Sequence, residues 1–125
     1  MRVVVTGGAG FIGANLCRHL RARHHEVVVV DDLSTGDRSN LDGVDAELIE
    51  GSVCDADVLD AAMAGADAVV HLAALGSVPR SGADPAASYH VNATGTVNVL
   101  EAARRHGDLH TLLAGSSSVY GSNPI

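Results

Sequence analysis

Apolar positions along the chain change period in a regular order. Short valine-rich runs at 2–6 and 26–31 are separated by a stretch in which Ile12, Leu16 and Leu20 recur at helical spacing, with Arg18, Arg21 and Arg23 free to face solvent. The same alternation continues downstream. Further strand-like runs are predicted at 46–50, 67–71 and 109–114, and helices at 11–23, 56–64 and 85–106. Asp55 is placed to cap the second helix, in which Val58, Leu59, Ala62 and Met63 form an apolar face. Asp84-Pro85 gives the third helix a cap followed by a proline at its first position, and Gly107 ends it. Strands that alternate with helices make right-handed βαβ units and a parallel sheet. The stretches Leu33 to Gly43 and Leu75 to Gly82 are polar, contain glycine and read as loops within one domain of 125 residues.

The first strand runs directly into Gly7-x-x-Gly10-x-x-Gly13, and the second ends in Asp31. Each glycine has a physical use: a tight turn out of the strand, close backbone approach to a pyrophosphate, and close packing of the helix on the sheet. Free amides at the helix start would face the phosphates. A P-loop would need a Gly-Lys-Ser/Thr ending that this stretch lacks. A carboxylate at Asp31 accepts hydrogen bonds from ribose hydroxyls and repels a 2′-phosphate, so NAD is expected rather than NADP. The fold class that follows is α/β, a Rossmann-type doubly wound parallel sheet of about five strands.

Composition narrows the partners. With 8 basic and 15 acidic residues the formal charge is −7, which disfavours nucleic acid and anionic membranes as partners. No apolar run approaches the length of a membrane span. Cys17 and Cys54 form no CxxC pair and no ligand spacing with histidine, so no metal site is expected. Reduced thiols and the lack of a signal-peptide pattern fit a cytoplasmic protein. All eight basic residues are arginine, and the chain contains no lysine.

Six ordered motifs carry a family resemblance: TGGAGFIG, VDDLSTG, HLAAL, SVPRS, DP followed by VNATGT and NVLEAARR, and SSSVYG. With these the chain resembles the N-terminal part of the extended short-chain dehydrogenase/reductases, the NAD-dependent epimerases and dehydratases of nucleotide sugars. The resemblance implies that Phe11 and Ile12 offer backbone amides to the pyrophosphate. It implies that Asp31 holds the adenosine ribose, with Asp32, Leu33, Ser34, Thr35 and Gly36 alongside. It puts Leu72, Ala73 and Ala74 beneath the ribose and phosphates and Asn92 at the nicotinamide end. Ser52 and Val53 fall at the adenine. Family members commonly carry an aspartate where Ser52 stands, so adenine recognition is expected to be somewhat weaker here. Ser77 and Val78 touch the substrate side by resemblance alone.

Ser116 resembles the catalytic serine or threonine of the family, with Ser117 and Ser118 as neighbours that could take its place. Its hydroxyl would bond the sugar oxygen being oxidised and help pass the proton to a tyrosine base. That base needs a lysine four residues later, whose ammonium lowers the tyrosine pKa. Tyr89 is followed at this spacing by Ala93 and Tyr120 by Pro124, so neither is the base. The expectation is a chain truncated before the sixth strand, the tyrosine helix and the substrate lobe, which binds NAD and is inactive alone. Its fifth strand would be an exposed edge, and the 85–106 helix would show an apolar flank suited to a homodimer. The complete enzyme would oxidise a nucleotide sugar transiently to a keto-sugar. The competing readings are a dinucleotide-binding or redox-sensing module without catalysis, and a net NAD-dependent sugar oxidoreductase.

Overall fold

A computed structural model describes residues 1–122. Five strands, β1 (Arg2–Thr6), β2 (Glu26–Asp31), β3 (Glu47–Glu50), β4 (Ala68–His71) and β5 (His110–Leu113), form one parallel sheet in the order β3-β2-β1-β4-β5. The chain builds outward from β1 through β2 to β3, then returns to the other side of β1 for β4. In an open α/β sheet the strand ends at such a reversal are left uncovered by helices, and a crevice opens there.

The valine runs are unbroken because both faces of the sheet are covered. Successive side chains point to opposite faces, so each central strand divides between two cores. Val4, Val28, Val30 and Val69 pack with Leu59, Ala62 and Met63 of α2 (Ala56–Met63) and with Val99, Ala102 and Ala103 of the last helix. Val3, Val5, Val27 and Val29 pack on the opposite face against Cys17, Leu16 and Leu20 of α1 (Phe11–Ala22). Ile12, expected on that apolar face, is exposed instead, because the first turn of α1 overhangs the crevice. Burial pushes the Cys17 thiol up to about 11, so it packs as a small protonated hydrophobe at neutral pH. Asp55 caps α2 as the sequence predicts, its carboxylate accepting from the amides of Asp57 and Val58.

Two segments differ from the sequence reading. The stretch read as a polar loop contains α3 (Val78–Ala83), started by the Ser77 cap and Pro79 at its first turn. The helix expected over 85–106 is α4 (Pro85–Tyr89), a π turn (His90–Thr94) and α5 (Gly95–Arg105), continuous in right-handed backbone. Within the π turn, the Asn92 side chain bonds to the backbone of Leu75, in another part of the chain. The loop after β2 also carries a short 3-10 turn, Arg38–Leu41, capped by Asp37. Pro124, at the spacing considered from Tyr120, lies outside the described residues.

Candidate functional site

A cleft of about 400 Å³ lies at the carboxyl ends of the strands, between the glycine loop, the tip of β2 and the tip of β4. Gly7 leaves β1 with φ +71°, and its amide donates to the Val30 carbonyl at 2.8 Å. A Cβ on Gly7 would meet the Ala73 nitrogen at 2.8 Å, and one on Gly13 would overlap the Gly7 carbonyl and come within 2.6 Å of the Gly8 Cα. These two glycines are required by the protein's own packing. Gly10 is different. Its backbone is extended (φ −79°, ψ 173°), and a Cβ there would meet only the Gly7 oxygen, at 3.3 Å. A side chain at Gly10 would fill cleft space rather than protein, so the loop leaves open the ground that a diphosphate would occupy.

Gly10 is also the N-cap of α1, with no side chain to cap it, and no acidic residue stands in the first turn. The first amides of an α-helix lack intrahelical acceptors, and the helix dipole makes this end positive. The Phe11, Ile12 and Gly13 backbones therefore present donors to the cleft they line. No lysine or arginine lines it, so the local positive potential is that of the helix terminus.

Asp31 forms the opposite wall, with 8% of its surface exposed. One carboxylate oxygen accepts from the Ala9 amide at 2.9 Å and the other from the Leu33 amide at 2.9 Å. A carboxylate offers about four acceptor positions, so lone pairs remain for hydroxyl donors in the cleft. The contact with Ala9 ties the tip of β2 to the glycine loop. Asn40 and the Asp37 amide hold the Ala9 carbonyl from the other side, at 2.8 and 3.1 Å. Asp32, Ser34, Thr35 and Gly36 line the cleft. Leu33 does not, and contributes its amide to Asp31 instead. Ser52 and Val53 also line it; the Ser52 hydroxyl accepts from the Cys54 amide at 3.1 Å and keeps its own proton to donate.

Leu72, Ala73 and Ala74 form the floor and continue into a smaller adjoining hollow bordered by His71, Asn92, Thr96 and Ser116. Asn92 acts on the chain itself: its Oδ1 accepts from the Leu75 amide at 2.7 Å and its Nδ2 donates to the Leu75 carbonyl at 3.0 Å. Ser116 caps a 3-10 turn (Ser117–Tyr120), accepting from the Ser118 amide at 3.1 Å and donating to the Ser118 hydroxyl at 3.0 Å. Ser77 caps α3 and Val78 is 86% exposed; neither borders the cleft or the hollow.

Sequence reasoning missed a chain of polar groups beneath the floor, buried at Thr6 and His71 and half-buried at Thr96. Thr6 Oγ1 and His71 Nδ1 are 2.7 Å apart, and His71 Nε2 and Thr96 Oγ1 are 3.0 Å apart. Thr6 Oγ1 also accepts from the amides of Leu72 and Ala73, each at 3.2 Å. Burial lowers the pKa of His71, so its ring is neutral at physiological pH. The signal in the sequence was slight: a threonine and a histidine each closing a valine run, and a threonine four residues after Asn92. Among the described residues no cluster of metal-ligating side chains occurs, and no helix is long and apolar enough to cross a membrane.

Three comparisons bear on this geometry. The model of the "NAD dependent epimerase/dehydratase" family matches residues 3–125. The chain is 37% identical to a UDP-glucose 4-epimerase of Klebsiella pneumoniae, over 99% of this chain and 95% of that protein. It is 41% identical to a dTDP-glucose 4,6-dehydratase of Mycobacterium tuberculosis, over 97% of this chain and 38% of that one. The solved UDP-glucose-4-epimerase from Stenotrophomonas maltophila, with bound NAD and formylated UDP-arabinopyranose, superposes with a TM-score of 0.91 at 32% identity, over 100% of this chain and 40% of that one. The Brucella ovis UDP-glucose 4-epimerase in complex with NAD gives 0.92 at 34%, over 99% and 38%. Apart from the Klebsiella protein, the chain spans about two fifths of the length of these relatives.

Proposed function

This chain belongs to the NAD dependent epimerase/dehydratase family, and from that membership we propose that its 125 residues form the NAD-binding portion of a nucleotide-sugar epimerase or dehydratase. The observation that carries the reading is Gly10: the loop, the helix terminus and Asp31 enclose a space that the protein's own packing leaves open at that glycine. In this reading the amides of Phe11, Ile12 and Gly13 hold the diphosphate. Asp31 accepts from the adenosine ribose hydroxyls, with Asp32, Ser34, Thr35 and Gly36 beside it, and Ser52 and Val53 border the adenine. Leu72, Ala73 and Ala74 give the floor, where small side chains let a ligand approach the backbone.

NAD, when bound, supplies a reversible hydride acceptor, so a sugar carbon can pass transiently through the keto state. Asn92 and Ser116 share the hollow beyond the floor. There Asn92 fixes the Leu75 backbone, and the Ser116 hydroxyl would bond the sugar oxygen and help move its proton. No lysine is present in these residues to lower a tyrosine pKa. They are therefore expected to bind NAD without turning over sugar, and the same absence favours the second reading, a dinucleotide-binding module without catalysis. A nucleotide sugar is the proposed substrate of the complete enzyme. A second copy is the proposed partner along α5, where Val97 and Leu100 stay exposed three residues apart.

Isothermal calorimetry with NAD and NADP tests the central claim. Binding of NAD with weaker binding of NADP is expected; no NAD binding, or a preference for NADP, rejects it.

A further inference from the structure

Resting on the reading of the cleft as an NAD site, we propose that His71 is a positioning residue for it: held as the Nε2–H tautomer between Thr6 and Thr96, it fixes the Thr6 hydroxyl that anchors the cleft floor. The proton assignments follow from the acceptors. The Thr96 hydroxyl lies 2.7 Å from the Asn92 carbonyl, which can only accept, so its single proton is used there. Thr96 Oγ1 must then accept from His71 Nε2, which therefore carries the hydrogen. A neutral ring has one N–H, so Nδ1 is bare and accepts the Thr6 proton at 2.7 Å. Both lone pairs of Thr6 Oγ1 are left facing the amides of Leu72 and Ala73. The Leu72 amide is shared with the Thr6 carbonyl at 3.1 Å, so Ala73 is the amide that depends on Thr6 Oγ1.

Each hydrogen on Thr96, His71 Nε2 and Thr6 then has its own acceptor, and the order of donors and acceptors along the chain is fixed. It joins the end of β1, the end of β4 and the π turn through groups that do not line the main cleft. With the Asn92 bonds to Leu75, the floor is held at Ala73 from beneath and at Leu75 from the side. His71 acts through Thr6 and touches no ligand in that cleft.

Adding a proton to Nδ1 would set N–H against the Thr6 O–H. Thr6 would have to turn its proton elsewhere and give up a lone pair, releasing the Ala73 amide. The two groups bonded to the ring, Thr6 from β1 and Thr96 from α5, are uncharged, and so are Leu113, beside His71 in the sheet, and Asn92, Ala114 and Ser116, which border the same hollow. His90, in the same π turn, is exposed. The folded chain thus avoids a proton that the unfolded chain takes up near 6.5. Stability is full above that pH and falls as the solution is acidified below it, while NAD affinity, which depends on the ring in the folded chain, falls only at the lower pH where that ring takes up its proton.

Two measurements test the assignment. Nitrogen-15 NMR of the wild-type imidazole near neutral pH, assigned by comparison with His71→Asn, should show protonated Nε2 and bare Nδ1; the opposite tautomer or the cation overturns the proposal. NAD titrations from about pH 8 to about pH 5 on wild type, His71→Asn and His71→Phe give the second. The Asn oxygen replaces Nδ1 as acceptor for Thr6, so affinity should stay within about threefold, while Phe should lose about tenfold, one hydrogen bond's worth. Acidification should weaken NAD binding to wild type more than to His71→Asn. Equal losses in both variants, or parallel pH profiles, overturn it. Failure of wild type to bind NAD at all rejects the cofactor reading, and the tautomer then still decides whether the relay exists.

Discussion

The wall built by residues 2–36 and the wall that carries Ser116 reach their shapes by different means. In the first, Val4, Val5 and Val28 to Val30 are fully buried, and Asp31 locks the tip of β2 to the glycine loop across 22 residues of sequence. In the second, β5 pairs with β4 alone among the described residues, and its Leu112 is 52% exposed. The Ser116 turn is held by bonds that reach no further than three residues. The glycine-loop wall is preorganised by long-range contacts, so a mutation there should act on fold and binding together. The Ser116 wall should answer only locally.

The strongest way to break this contrast is Gly13→Ala. The new methyl would meet backbone atoms of Gly7 and Gly8 that cannot swing aside. The expected loss is about 3 kcal/mol, at the upper end for overpacking, or on the order of 10 °C in Tm by thermal melting. A variant as stable as wild type would show that the loop yields and is not preorganised. Next comes Asp31→Asn, which halves the acceptor capacity and turns an NH2 toward either the Ala9 or the Leu33 amide. NAD binding should weaken by about 2 kcal/mol, roughly thirtyfold in Kd, with the preference over NADP reduced. Unchanged NAD affinity in calorimetry would remove Asp31 from the ribose.

The difference between the walls also decides what could be read from the sequence. The valine runs, the three glycines and Asp31 were legible because each acts within its own strand-turn-helix unit, where local sterics and period fix the outcome. The strand boundaries predicted from them differ from those found by at most one residue at an end. Thr6, His71 and Thr96 were not legible as a set. They lie 65 and 25 residues apart, and only the register that sets Thr6 beside His71 brings them together. The π turn was hidden because His90–Thr94 contains neither proline nor glycine, and Asn92 reads as an ordinary helical residue until Leu75 is seen opposite. Helix α3 had its signals in Ser77 and Pro79, but Gly76 and Gly82 at its margins weighed toward a loop.

Gly10→Ala sharpens the contrast within the loop. The extended backbone at Gly10 suits any residue, and the added methyl meets one atom, the Gly7 carbonyl oxygen at 3.3 Å, which has to give only slightly, so stability should fall by no more than about 1 kcal/mol. NAD binding should fall about tenfold, because the methyl occupies the approach to the helix terminus. A stability loss as large as that of Gly13→Ala would mean that Gly10 also serves the fold.

Ser116→Ala should have the smallest effect and tests the other wall. The hydroxyl accepts from one exposed amide and donates to one exposed hydroxyl, both within its own turn. Water can replace both partners, so removal should cost less than about 1 kcal/mol, the lower range for a lost cap. NAD affinity should be unchanged, since Ser116 borders the hollow and not the cleft. If calorimetry instead shows NAD binding weakened as far as in Gly10→Ala, the hollow and the cleft behave as one site, and Ser116 takes part in holding the cofactor.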